Sequence, residues 1–331
     1  MLFALPFLLL LGIFVVINCQ TESGGHGEIE RQLVVSVVHP RGLRRAILGS
    51  AFAGLEGVNG SVSPIQDEGR CDGVAFMKIR PDIGVRPLGG HAQHLLRART
   101  PDLRFCRDDA ARAMAPMIGP ETHVLSLQNG VYTEELLAEL YGAGHVWGAQ
   151  SMLPAQVVAP GHVRQIASID RLEFGRLDNV QDATITGFRD RLEQAGVWAL
   201  LAENTLECLW RKFVMVGSYA AVSTLVRARL GKVRSCPESW QLYRELMQEA
   251  FAVGQAKGAG MADDLVEQHW ADGLKRDPEV ETSMQFDRER GARLELDWFS
   301  GYIVREGERL GIPTPCHRVA WMALKPWAEG S

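Results

Sequence analysis

Hydrophobic positions change their spacing near residue 190. Upstream, short apolar runs alternate with Gly and Pro, as strands joined by turns do. The runs predict strands at Gly12–Ile17, Leu33–Val38 and His123–Leu127. The stretch "DDAARAMAPMIGPETHVLSLQNGVYTEELLAELYG" reads as an amphipathic helix, a Gly-Pro turn, a strand, and "QNG" opening another helix. That order predicts a parallel α/β sheet. Ligands on such sheets sit beyond the carboxyl ends of the strands, which places Gln128, Asn129 and Gly130 at a candidate site. From about residue 200 the period becomes helical. Helices are predicted at Glu203–Arg229, Glu238–Lys257 with Pro237 at its start, Met261–Leu274, Leu294–Leu310 and His317–Trp327.

Composition narrows the class without naming it. The 331 residues are 46% hydrophobic and 23% charged, with a net charge of -5, enough for two globular domains. No basic stripe points to nucleic acid. The six cysteines are scattered without metal-ligand spacing, which predicts reduced, buried thiols. The first residues, "MLFALPFLLLLGIFVVI", support two readings. Residues 1–19 are either an apolar leader that anchors or exports the chain, or a first strand with an apolar extension.

One pair of charges sits oddly in the first long helix, "ECLWRKFVMVGSYAAVSTLV". Arg211 has Glu207 four residues before it, an acid-before-base pair. Lys212 has no such partner. Its helical neighbours are Cys208, Leu209, Met215, Val216 and Tyr219, so its ammonium either snorkels from an apolar face or serves a site. Carboxylates that could answer it lie far along the chain. Glu295 and Asp297 open the helix carrying Trp298, Phe299 and Tyr302, and Ser283 and Asp287 stand one turn apart upstream. Acids at a helix start also follow from the helix dipole alone.

The segments "HVLSLQNGV", "LWRKFVMV", "TSMQFDRERGARLELDWFSGYIV" and "GIPTP" stand in the order and at the separations of ketopantoate reductases (2-dehydropantoate 2-reductases), and the chain resembles that family from about Asp108 to Trp327. The resemblance implies an α/β Rossmann-like N-terminal domain, here degenerate, over residues 12–190. An all-α C-terminal domain would follow over 200–328, as in the 6-phosphogluconate dehydrogenase-like superfamily. It implies NADPH as cofactor, a small 2-oxo acid as substrate, a homodimer and a cytoplasmic enzyme that makes (R)-pantoate towards coenzyme A. Residue by residue, Lys212 matches the catalytic lysine that protonates the ketone oxygen, and Glu295 the acid that helps hold lysine and substrate. Ser283 matches a serine for the substrate carboxylate. Asn129 matches the asparagine near nicotinamide and substrate.

The chain departs from the family pattern in three places. Val216 and Ala220 stand where substrate-contacting asparagines are usual. Residues 52–106 carry no recognisable pattern, and "LRFC" replaces the segment where a lysine is expected. No Gly-x-Gly-x-x-Gly is present to cradle a pyrophosphate. The nearest correspondence uses Gly24 and Gly25 as late glycines and Arg41 as a contact for an NADP 2′-phosphate, with acids nearby that oppose an anion. The reductase reading therefore stands beside a second: a relative that has lost its cofactor and serves as a binding or dimerising protein.

Overall fold

The computed structural model describes residues 14–23, 29–40, 74–79, 105, 107–152, 155–159, 162–165, 171–194 and 196–330. Chain contacts divide it into two units. The first runs to Gln128 and from Thr133 to Thr205, and the second comprises Asn129–Tyr132 and Leu206 onward.

The first unit is built on strands β1 (Phe14–Ser23), β2 (Ile29–Pro40) and β3 (Val74–Ile79), then helix α1 (Arg107–Ala113) and β4 (Thr122–Ser126). Helix α2 (Tyr132–Tyr141), β5 (Val146–Met152), β6 (Ala155–Ala159), β7 (His162–Gln165) and β8 (Arg171–Arg176) follow. The unit closes with α3 (Ala183–Gln194) and β9 (Trp198–Leu201). Seven strands form one sheet in the order β3-β2-β1-β4-β5-β8-β9, and β6 and β7 pair separately.

The expected parallel sheet holds for β4 beside β5 and for β8 beside β9. It does not hold elsewhere: β1 pairs antiparallel with both β2 and β4, and β5 runs antiparallel to β8. For β1 and β2 the reason is chain length. Ser23 lies opposite Ile29, and the few residues between them cannot form the helical crossover that parallel neighbours require. Gly24, Gly25 and Arg41 themselves lie outside the described residues, as do the apolar residues before Phe14 and most of 52–106.

Packing on the sheet follows alternation. In β4 and β5 the side chains of Leu125, Trp147 and Ala149 are buried, and they join Leu172, Phe174, Ile185, Phe188 and Leu192 in one core. The Trp147 ring stacks on His123 at 5.0 Å, and Phe174 meets Phe188 edge-on at 5.5 Å. These bulky rings bring α3 against the sheet, with aromatic pairs adding about 0.5–1.5 kcal/mol each beyond area burial.

The second unit is helical. Helix α4 (Thr205–Val226) is followed by α5 (Leu230–Ser235), α6 (Pro237–Ala256), α7 (Leu265–Lys275), α8 (Ser283–Glu289), α9 (Ser300–Leu310) and α10 (Pro315–Leu324). Among the described residues no helix is long and apolar enough to cross a membrane.

Several predicted helix limits move, each for a local reason. The first long helix ends at Val226 because Arg227 turns left-handed (φ 52°) and the Ala228 N–H reaches back to the Ser223 carbonyl. The helix expected from Met261 begins at Leu265, since the Gln255 side-chain amide bonds both the N–H and the carbonyl of Met261 and holds it off the helical path. The helix expected over Leu294–Leu310 is two pieces. A 3₁₀ turn, Glu295–Asp297, precedes α9 with a break at Phe299 (φ -103°, ψ -98°). There the Asp297 carboxylate accepts from Trp321 Nε1 and Lys325 Nζ, both at 2.8 Å, instead of capping α9. Pro326 similarly ends the last α-helix early, leaving Lys325–Trp327 as a 3₁₀ turn.

Candidate active site

Helix α4 is buried along most of its length: Trp210, Phe213, Val214, Met215 and Ala220 are all in the core. Its two cations resolve differently. Arg211 pairs with Glu207 at 2.9 Å across one turn, as the spacing predicts. Lys212 is half-buried, and its Nζ donates to Asn129 Oδ1 at 3.0 Å, joining positions 83 residues apart in the chain.

Asn129 reaches that point because a short loop, Asn129–Val131, leaves the end of β4 and starts α2. Gly130 carries the bend with φ 94°, a conformation that side chains rarely adopt. A Cβ there would lie 3.6 Å from the Trp298 carbonyl and 3.9 Å from the Phe213 ring. The loop therefore lies against both the lysine helix and the turn that follows Glu295.

That turn is the third component. Glu295 is 1% exposed, and its carbonyl accepts from the N–H groups of Trp298 and Phe299, both at 3.1 Å. Phe299 packs on Phe213, the residue after Lys212, with ring centroids 5.9 Å apart. Tyr302 touches Phe213, Trp210 and Tyr132, the last edge-on at 6.4 Å. An aromatic cluster thus gathers the Asn129 loop, the Lys212 turn and the Glu295 turn in the helical unit.

The lysine face continues along α4. Tyr219 OH donates to the Val280 carbonyl at 2.7 Å, and Ser223 Oγ meets Thr282 Oγ1 at 3.2 Å. Thr282 also caps α8, accepting from the Gln285 N–H at 3.1 Å. Ser283 is the first residue of α8 and is exposed beside this docked cap. Of the matched residues, Lys212 and Asn129 are in direct contact, and the turn of Glu295 packs on both of their neighbours. Ser283 stands at the start of the next helix, and Gly24, Gly25 and Arg41 are not described.

A buried polar network at the other end of the Asn129 loop was not visible in the sequence. Thr133 Oγ1 donates to Gln128 Oε1 at 3.0 Å and accepts from Arg107 Nη1 at 3.4 Å. Arg107, Thr133 and Gln128 are 1%, 1% and 4% exposed. Glu134 is also buried, and burial pushes its carboxyl up to about 7, with the Ser126 hydroxyl and the Arg107 guanidinium opposing the rise. A helical period reveals apolar faces, and it carries no sign of an arginine that points inward.

Comparison with known proteins shows the family. The family model for the ketopantoate reductase C-terminal domain matches residues 204–328, and the model for ketopantoate reductase PanE/ApbA matches 105–179, together more than half of the chain. The chain belongs to the ketopantoate reductase family. It is 28% identical over 205 residues to a 2-dehydropantoate 2-reductase of Streptococcus pyogenes serotype M6, covering 61% of this chain and 66% of that one. A 2-dehydropantoate 2-reductase of Caulobacter vibrioides is 29% identical over 201 residues, covering 61% and 67%. A crystal structure of a PanE/ApbA family ketopantoate reductase from Ralstonia eutropha superposes with a TM-score of 0.60 at 29% identity, covering 67% of this chain and 72% of that one. The chain thus spans about two thirds of the length of these relatives. Their fold is that of the 6-phosphogluconate dehydrogenase-like superfamily, an α/β unit followed by a helical one.

Proposed function

We propose that the chain reduces 2-dehydropantoate, or a closely related small 2-oxo acid, to the 2-hydroxy acid with NADPH. The observation that carries this reading is the hydrogen bond from Lys212 to Asn129, beside the buried turn of Glu295, in a member of the ketopantoate reductase family. Support for the cofactor comes from family membership and from Asn129, which lies past the carboxyl end of β4 where parallel sheets bind ligands. The described residues contain no glycine cradle for a pyrophosphate, so they fit the nicotinamide end only.

When bound, the reduced nicotinamide supplies a hydride to the carbonyl carbon of the 2-oxo acid. The chain's own residues handle the oxygen. Lys212 Nζ transfers a proton to the ketone oxygen as negative charge develops there, so the product leaves as an alcohol. Asn129 Oδ1, accepting one N–H of Lys212, sets the direction of the ammonium. Glu295 holds lysine and substrate in place through its carboxylate, and Ser283 binds the substrate carboxylate through its hydroxyl. Val216, where an asparagine is usual, has no amide to offer the substrate, so specificity for 2-dehydropantoate rests on other contacts.

Purified chain titrated with NADPH and followed by nucleotide fluorescence, then assayed with 2-dehydropantoate beside Lys212→Ala, tests the proposal. Saturable binding and turnover that Lys212→Ala abolishes are expected. Absence of NADPH binding at millimolar cofactor overturns the reductase reading and leaves the binding or dimerising role in its place.

A further inference from the structure

A side-chain hydrogen bond closes the loop that carries Asn129. Gln128 stands just before it and Thr133 in the first turn of α2 just after it, and the Thr133 hydroxyl donates across the gap to Gln128 Oε1 at 3.0 Å. The same hydroxyl accepts from Arg107 at 3.4 Å, so its proton and one of its two lone pairs are committed. Arg107 is almost fully buried, and its guanidinium opposes the burial that pushes the nearby Glu134 carboxyl up to about 7.

Such a network is costly. Taking a guanidinium out of water costs stability, and its hydrogen bonds to buried partners only offset that loss. Polar networks fix geometry more than they add stability when every member has a partner. The geometry fixed here is the span of a loop whose middle residue, Gly130, is in a left-handed conformation and whose first residue accepts the Lys212 hydrogen bond.

We propose that Thr133, with Gln128 and Arg107, is a positioning residue for Lys212. It holds the Asn129 loop at the span that presents Oδ1 to the ammonium. This rests on the reading of Lys212 as the proton donor, but its test does not require turnover. Full-length Thr133→Val, Thr133→Ser and Gln128→Met are labelled with a limiting amine-reactive acetylating reagent at pH 8, and peptide mass spectrometry compares Lys212 with Lys325. Lys325 is held by Asp297 and serves as the internal reference. Thr133→Val keeps the shape and removes the hydroxyl, and Gln128→Met removes the acceptor should the first variant not fold.

The expected result is a rise of about fivefold in Lys212 labelling relative to Lys325 for Thr133→Val and Gln128→Met, the size set by loss of one ordinary hydrogen bond. Thr133→Ser returns the ratio to the wild-type value. An unchanged Lys212 ratio in the folded valine and methionine variants overturns the proposal, whatever happens to Tm. A wild-type chain without reductase activity in which the ratio still responds would reject the enzymatic role while keeping the positioning.

Discussion

Lys212 and Asn129 meet at 3.0 Å although 83 residues separate them, and the contact joins the long buried helix to the loop after β4. The Asn129 amide oxygen accepts one N–H of the half-buried ammonium and so sets its direction. Lys212→Ala is expected to lower kcat by about 10²–10⁴, the range for loss of a positioned general acid. Asn129→Ala leaves the ammonium in place and is expected to lower kcat by about tenfold, the effect of one misdirected charged hydrogen bond. Steady-state kinetics at saturating NADPH measure both. Equal effects of the two substitutions would contradict the assigned roles.

Gly130 makes a separate prediction. Its φ of 94° is strained for any side chain, while the nearest atoms to a new Cβ are at ordinary contact distance. The cost of Gly130→Ala is therefore conformational, about 1–3 kcal/mol. The loop is expected to relieve that strain by shifting Asn129. Activity should fall more steeply than Tm, which differential scanning calorimetry beside a kinetic assay reads directly.

The sequence made one half of this protein legible and left the other half hidden, for identifiable reasons. Helical spacing announced α4 and α6 because each buries a continuous apolar stripe, and Pro237 marked where α6 begins. The split at Phe299 escaped because it depends on Asp297 being drawn to Trp321 and Lys325, contacts that no local pattern encodes. The hairpin of β1 and β2 reads as two parallel strands when only their apolar content is considered. The short connection between Ser23 and Ile29 decides otherwise. At the candidate site, the order of motifs pointed to Lys212 and Asn129. Arg107 and Thr133 gave no signal, since an inward-facing arginine looks the same in sequence as a solvated one.

Trp210 anchors the helical unit and depends on a glycine. Its ring is fully buried, and a Cβ on Gly254 would lie 2.6 Å from it and 2.7 Å from Met261 Cε. An added methyl there would have to push into both the ring and the methionine. Gly254→Ala is expected to cost about 1–3 kcal/mol through overpacking, although alanine is the better helix former. Trp210→Ala, which leaves a cavity, is expected to cost about 3–5 kcal/mol. Urea unfolding of both variants tests the order, and a stabilised Gly254→Ala would show that α4 and α6 are less tightly apposed.

His317 gives the fold a defined acid limit. Its ring is completely buried, with Nε2 at 3.0 Å from the Leu246 carbonyl and Nδ1 at 3.1 Å from Ser300 Oγ. A neutral imidazole satisfies both: Nε2–H donates to the carbonyl, and Nδ1 accepts from the hydroxyl. Burial lowers the pKa to about 4, against an ordinary value of 6.5, and the carbonyl of Leu246 offsets this only in part. Below pH 6.5 the unfolded chain takes up a proton that the folded chain refuses, so stability falls as the pH drops from 6.5 and stops falling below about 4. The loss from this group over that window is about 3 kcal/mol. Replacing it with glutamine, His317→Gln, lowers Tm at pH 7.5 but is expected to flatten the slope of Tm against pH between 4.5 and 6.5. A wild-type slope retained in the variant would assign the acid sensitivity to another group.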